Sequence, residues 1–177
     1  IEQCDSFIVD PHKWLFAPFD CCALLYRDPA VARSAHTQKA GYLDVLTDTT
    51  DWNPTDYSVG LTRRARGLPF WFSLVVNGTN AYTAAVERTL EVARFAEAEI
   101  QARPELELAR ERDLTVVVFR RLGWSPADYH AWSDRILADQ LAFAVPTTHH
   151  GETFARFAVV NPQTTEDDIA LVLDTMR

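Results

Sequence analysis

From residue 79 onward, long helical stripes alternate with short apolar runs, and few folds satisfy that order. Val86, Leu90, Ala93, Ala96 and Ile100 recur at helical spacing, and Pro104 ends the helix predicted over 79–102. Leu106-Glu107-Leu108 alternates as a strand does, and Leu114 to Phe119 is a β-branched run that reads as another. Ser125 can cap a helix whose first turn holds Pro126 and whose buried face is Tyr129, Trp132, Ile136 and Leu137. Strands are predicted near 143–147 and 153–160. A last helix is capped by Thr164 or Thr165 and carries the stripe Ile169, Val172, Leu173 and Met176. The order α-β-β-α-β-β-α predicts a small α+β layer, with helices on one face of a mostly antiparallel sheet.

The first 60 residues read differently, as strand ends and loops of something larger. Phe7 to Val9 is a short apolar run expected to be a buried strand, ended by Asp10-Pro11. Cys22 to Tyr26 is a second run of strand length, closed by Arg27-Asp28-Pro29. Residues 34 to 60 are polar and broken by Gly41, Asn53-Pro54 and Gly60, and a loop of that length points to function or mobility. Pro69 is placed near the first helical position of an aromatic segment reaching Val76, with Trp71 and Phe72 expected in the core. The chain opens on Ile1 rather than methionine and reaches Phe7 almost at once, as a fragment or processed chain would.

Charge and cysteine content exclude several function classes. The net charge of −8 argues against a nucleic-acid or anionic-membrane binder, both of which want a basic face. No apolar run is long enough to span a bilayer. Cys4, Cys21 and Cys22 form a poor disulfide framework, which fits a reducing cytoplasm, and lack the C-x-x-C spacing of a structural zinc site. His149-His150 is not expected to share a metal, because neighbours on a strand face opposite ways.

The chemistry concentrates in Asp10-Pro11-His12-Lys13-Trp14. Lys13 is one of two lysines among seventeen basic residues, the rest being arginine. A lysine amine just beyond a buried strand can hold an aldehyde cofactor as an imine. A strand-end lysine can equally extend its amine to water, and the residues alone leave both readings open. Arg63, Arg64 and Arg66 can bind acidic groups or make ion pairs between domains or subunits. Arg156, in mid-strand beside apolar neighbours, is expected to have a structural partner.

Ser6 to Leu15 resembles the cofactor-lysine signature of the group II decarboxylases, which depend on pyridoxal 5′-phosphate (PLP). Pro18-Phe19-Asp20-Cys21 is similar to the segment that follows it. Arg63-Arg64-Ala65-Arg66 with Leu68 and Trp71-Phe72 resembles a further stretch, as do Arg156-Phe157 and Asn161 to Thr165 near the end. The similarity is collinear along nearly the whole chain. It implies an α/β protein: the end of a fold-type-I large domain over residues 1–78, then a connecting helix and a small C-terminal α+β domain over 79–177. It implies that Lys13 condenses with PLP, that His12 contacts the cofactor phosphate or imine region, and that Asp10 lies near that phosphate. It further implies that Tyr42, on a mobile loop, returns a proton to the substrate α-carbon. The implied activity is decarboxylation of an L-amino acid, aromatic or bulky, by a cytoplasmic homodimer. Ring-stacking, pyridine-pairing and phosphate-binding residues precede the lysine in that family. This chain is therefore expected to need an N-terminal half to bind PLP well. Alternatives are a fragment that only dimerises, or another fold-type-I activity such as an aminotransferase.

Overall fold

The computed structural model describes residues 1–38 and 52–177, which divide into two compact units, 1–76 and 77–177.

In the first unit, β1 (Ser6–Val9) pairs antiparallel with β2 (Ala23–Tyr26), in a register running from Ser6↔Tyr26 to Val9↔Ala23. Helix α1 (Pro29–His36) starts where Asp28 accepts a hydrogen bond from the Ala30 N–H at 2.9 Å, with Pro29 in the first turn. A short 3-10 turn (Pro54–Tyr57) follows, and its Asp56 is buried at 2% exposure against the Arg33 guanidinium, 3.0 Å away. This pair joins α1 to a turn twenty-three residues further along the chain.

Two expectations fail in this unit. The β1–β2 pair is not buried: Phe7, Ile8, Leu24 and Leu25 are all exposed. Two strands offer each side chain few neighbours, and such a ribbon cannot enclose its own apolar faces. Trp71 and Phe72 are also exposed rather than core, at 56% and 61%. Among the described residues, none of the first unit covers them.

Helix α2 (Gly67–Ala102) begins two residues before Pro69 and includes a non-helical residue, Gly78, at φ 76° and ψ 157°. Only glycine adopts that backbone without steric strain. Beyond the break the buried stripe is Thr89, Val92, Ala93, Ala96 and Ile100, with Val86 and Leu90 half-buried at its margin.

The second unit holds β3 (Leu106–Leu108), β4 (Val116–Arg121), α3 (Pro126–Ala138), β5 (Thr147–His149), β6 (Glu152–Ala158) and α4 (Glu166–Asp174). The strands form one antiparallel sheet in the order β3-β4-β6-β5. Val117 and Phe119 alternate inward on β4, and the Phe119 ring lies 4.9 Å from that of Phe157 on β6. Trp132 and Ile136 of α3 join Ile169, Val172 and Leu173 of α4 in the same core. Ser125 with Asp128, and Thr165 with Asp168, form reciprocal caps at the two helix starts.

The strand expected over 143–147 lies later. Pro146 has no N–H for the ladder, so pairing starts at Thr147. His150 and Gly151 both have positive φ, 49° and 82°, and make the two-residue turn between β5 and β6. Because His150 sits in this turn, the His149 and His150 rings lie 4.2 Å apart, contrary to the opposite-face expectation. Among the described residues no group of three His, Cys, Asp or Glu is placed to hold a metal. Arg156, opposite Val118, is exposed, and no ion pair of it is found among the described residues, contrary to the expected structural partner.

Candidate functional site

Lys13 stands on a tight turn that leaves β1. The Lys13 N–H donates to the Asp10 carbonyl at 2.9 Å, and Pro11 at the second position is fully buried. The turn places the side chains of Asp10 and Lys13 together: Nζ lies 2.5 Å from Oδ2 of Asp10. The Lys13 side chain is 66% exposed and that of Asp10 32%. The Lys13 ammonium and its hydrogen bond hold the Asp10 carboxyl below its ordinary value.

His12 secures the turn from the other side. Its Nδ1 lies within hydrogen-bonding distance of the Cys21 backbone, 2.5 Å from the carbonyl oxygen and 3.2 Å from the nitrogen. Its ring meets the edge of Phe19 with centroids 5.1 Å apart. Ring orientation is thus set by the chain entering β2. Asp10, His12 and Lys13, which the sequence singled out, are brought together on one turn. Tyr42 lies outside the described residues.

Two further residues escaped the sequence reading. Asp20 is gripped by Arg64 at 2.9 Å and by Arg66 at 3.0 Å, so these two arginines make ion pairs inside the first unit. The hydrogen bond from Arg66 holds the Asp20 carboxyl below its ordinary value. Arg63 donates to the Ser58 hydroxyl. Cys22 follows the Cys21 that anchors His12; burial first, then the nearby Asp10 carboxylate, pushes its thiol up. Cys22, Tyr26, Tyr57 and the three arginines help line a cavity of about 630 Å³.

An exposed primary amine on a rigid turn, beside a carboxylate, suits a lysine that condenses with a carbonyl compound. Residues 1–122 match the family model described as the pyridoxal-dependent decarboxylase conserved domain, and the chain belongs to that family. It is 30% identical over 174 residues to human histidine decarboxylase, covering 96% of this chain and 25% of the relative. It is 32% identical over 172 residues to the aromatic-L-amino-acid decarboxylase of Drosophila lebanonensis, covering 96% of this chain and 42% of the relative. The chain therefore spans well under half the length of the relatives it matches. The solved structure of Oryza sativa TDC with PLP and tryptamine superposes with a TM-score of 0.86 at 23% identity, over 99% of this chain and 39% of that one. At that identity the superposition speaks for the fold.

Proposed function

We propose that the chain is the lysine-bearing part of a PLP-dependent enzyme that decarboxylates an aromatic or bulky L-amino acid to its amine. The reading takes residues 1–78 as the end of the large domain and 79–177 as the connecting helix and small C-terminal domain of a cytoplasmic homodimer. The supporting observation is the placement of Lys13 on its pinned turn, within a family match that runs from residue 1 to residue 122.

The residues present fit the aldehyde end of PLP. Lys13 offers a primary amine with a largely exposed stem, and the buried Pro11 and the anchored His12 keep its backbone from moving. PLP, when bound, withdraws electrons from the bond to the departing carboxylate. Lys13 would hold the cofactor, and His12, fixed through Nδ1, would contact its phosphate or imine region. Tyr42 would return a proton to the substrate α-carbon, because a phenol on a loop can supply acid and exclude water together. The remaining ring and phosphate contacts would come from the N-terminal half of the enzyme.

The test uses the complete enzyme with PLP and a panel of L-amino acids. Borohydride reduction followed by peptide mapping should place the cofactor on Lys13, and Lys13→Ala should abolish both the adduct and turnover. Products should be amine and carbon dioxide. A keto acid would show an aminotransferase, and no product with no adduct would show a non-catalytic chain.

A further inference from the structure

Arg63, Arg64 and Arg66 bring three guanidinium groups together within four residues, and all three line the cavity of about 630 Å³ in the first unit. Asp20 answers two of them, at 2.9 Å from Arg64 and 3.0 Å from Arg66. Arg63 donates to the Ser58 hydroxyl, and no ion pair of it is found among the described residues. One carboxylate therefore stands against three positive charges, and none of the described residues lining the cavity is Asp or Glu. This local excess runs against the sign of the whole chain, whose net charge of −8 repels anions at long range. Much of the remaining wall is aromatic. Trp52 and Tyr57 stack with centroids 6.1 Å apart and planes 20° from parallel, and Tyr26, at the end of β2, adds a third ring. Trp52 is 74% exposed, so its face is open to a ligand. Lys13 is not among the described residues that line this cavity.

We propose that this cavity binds a small aromatic dianion, of the aryl phosphate class, at a site separate from the one that holds the cofactor. The inference is independent of the role of Lys13. Like charges held close raise one another's energy, and Asp20 offsets one of the three, which leaves two for a dianion to answer. A guanidinium presents a planar fork of donors that matches phosphate oxygens through paired hydrogen bonds, and it is weakly hydrated, so its desolvation is cheap. Arg64 and Arg66 are already oriented by Asp20, whereas Arg63 is held by a neutral hydroxyl that an anionic oxygen replaces with a stronger acceptor. The stacked faces of Trp52 and Tyr57 offer a flat apolar surface on which the ring lies. Inorganic phosphate would satisfy the charges and leave the rings bare. An uncharged ring would cover the aromatic wall and leave the guanidinium excess in place. The two features select charge and ring in one molecule, and the volume suits a ligand of that size.

The test uses the complete enzyme, reduced with borohydride in the presence of PLP so that the cofactor site is filled. Phenyl phosphate is then titrated by calorimetry, with inorganic phosphate and benzyl alcohol as the charge-only and ring-only probes. Phenyl phosphate should bind, and each of the other two should bind markedly more weakly. Arg63→Gln should weaken phenyl phosphate about tenfold, the equivalent of one charge-assisted hydrogen bond, and Arg63→Lys should lose less. Trp52→Leu should weaken it about fivefold through the lost stacking. Both side chains are exposed, so the melting temperatures of these variants should match the wild type. Binding seen before reduction with PLP and absent after it would put the anion in the cofactor's own phosphate site and overturn the proposal. Inorganic phosphate binding as tightly as phenyl phosphate would overturn it, as would affinities that Arg63→Gln and Trp52→Leu leave unchanged. If the enzyme captures no PLP, the reading of Lys13 fails, and the two variants still decide the cavity on the same protein.

Discussion

Trp132 offers a stringent check on the packing of the second unit. Its ring is 1% exposed, and its indole N–H donates to Thr175 Oγ1 at 2.7 Å; that hydroxyl in turn donates to the Val172 carbonyl at 2.6 Å. The link ties the middle of α3 to the end of α4. Trp132→Phe deletes the donor and the smaller ring of the indole together. One lost hydrogen bond costs about 1 kcal/mol, and truncating Trp fully to Ala costs about 3–5 kcal/mol, so the phenylalanine variant should lose about 2–3 kcal/mol. Thr175→Val removes the acceptor and should cost about 1 kcal/mol. The double variant should be more stable than the sum of the single effects implies, by about 1 kcal/mol, since the shared bond is lost only once. Urea unfolding of all four proteins, with slopes compared to confirm a common unfolded state, gives the coupling energy. A coupling indistinguishable from zero would refute the hydrogen bond as an energetic link, and a Trp132→Phe loss below about 0.5 kcal/mol would refute close packing at this site.

Other expectations follow from local geometry. Thr165→Ala removes the cap of α4 and should destabilise the protein by about 1 kcal/mol in chemical denaturation. The Thr165 backbone and hydroxyl bonds hold the Asp168 carboxyl below its ordinary value of 3.8, so its contribution is present above that value and lost as the pH falls below it. Asp168→Asn should therefore flatten this part of the acid limb of a stability-against-pH curve. Gly151→Ala forces a Cβ into a φ of 82° and should cost about 1–2 kcal/mol, read as a lower melting temperature. Tyr42→Phe should leave PLP binding intact while amine formation falls, with aldehyde as the replacement product measured by chromatography; normal amine output would remove Tyr42 from the reaction.

Local signals were legible, and long-range ones were not. Ser125-Pro126 and Thr165 announced their helices because a cap is decided within three or four residues. The Asp10-Pro11 turn was equally readable, since proline fixes its own φ. The late start of β5 could have been anticipated from the missing N–H of Pro146. Pairing of Asp20 with Arg64 and Arg66 was hidden, because the partners are 44 and 46 residues apart and nothing local connects them. Exposure of Phe7, Ile8, Trp71 and Phe72 could not be read from apolar character, which says what a side chain prefers and not what is there to cover it.

The named ion pairs also have a chemical selectivity. Lys13 reaches its carboxylate through a primary amine, whereas Arg33, Arg64, Arg66, Arg88 and Arg103 use guanidinium groups for theirs. A guanidinium stays protonated and is a poor nucleophile toward aldehydes, while an amine condenses with them readily. Scaffolding charges of this kind present no decoys to a reactive carbonyl. Lys13 is one of two lysines in the sequence, so an amine-directed label meets one competing lysine, Lys39.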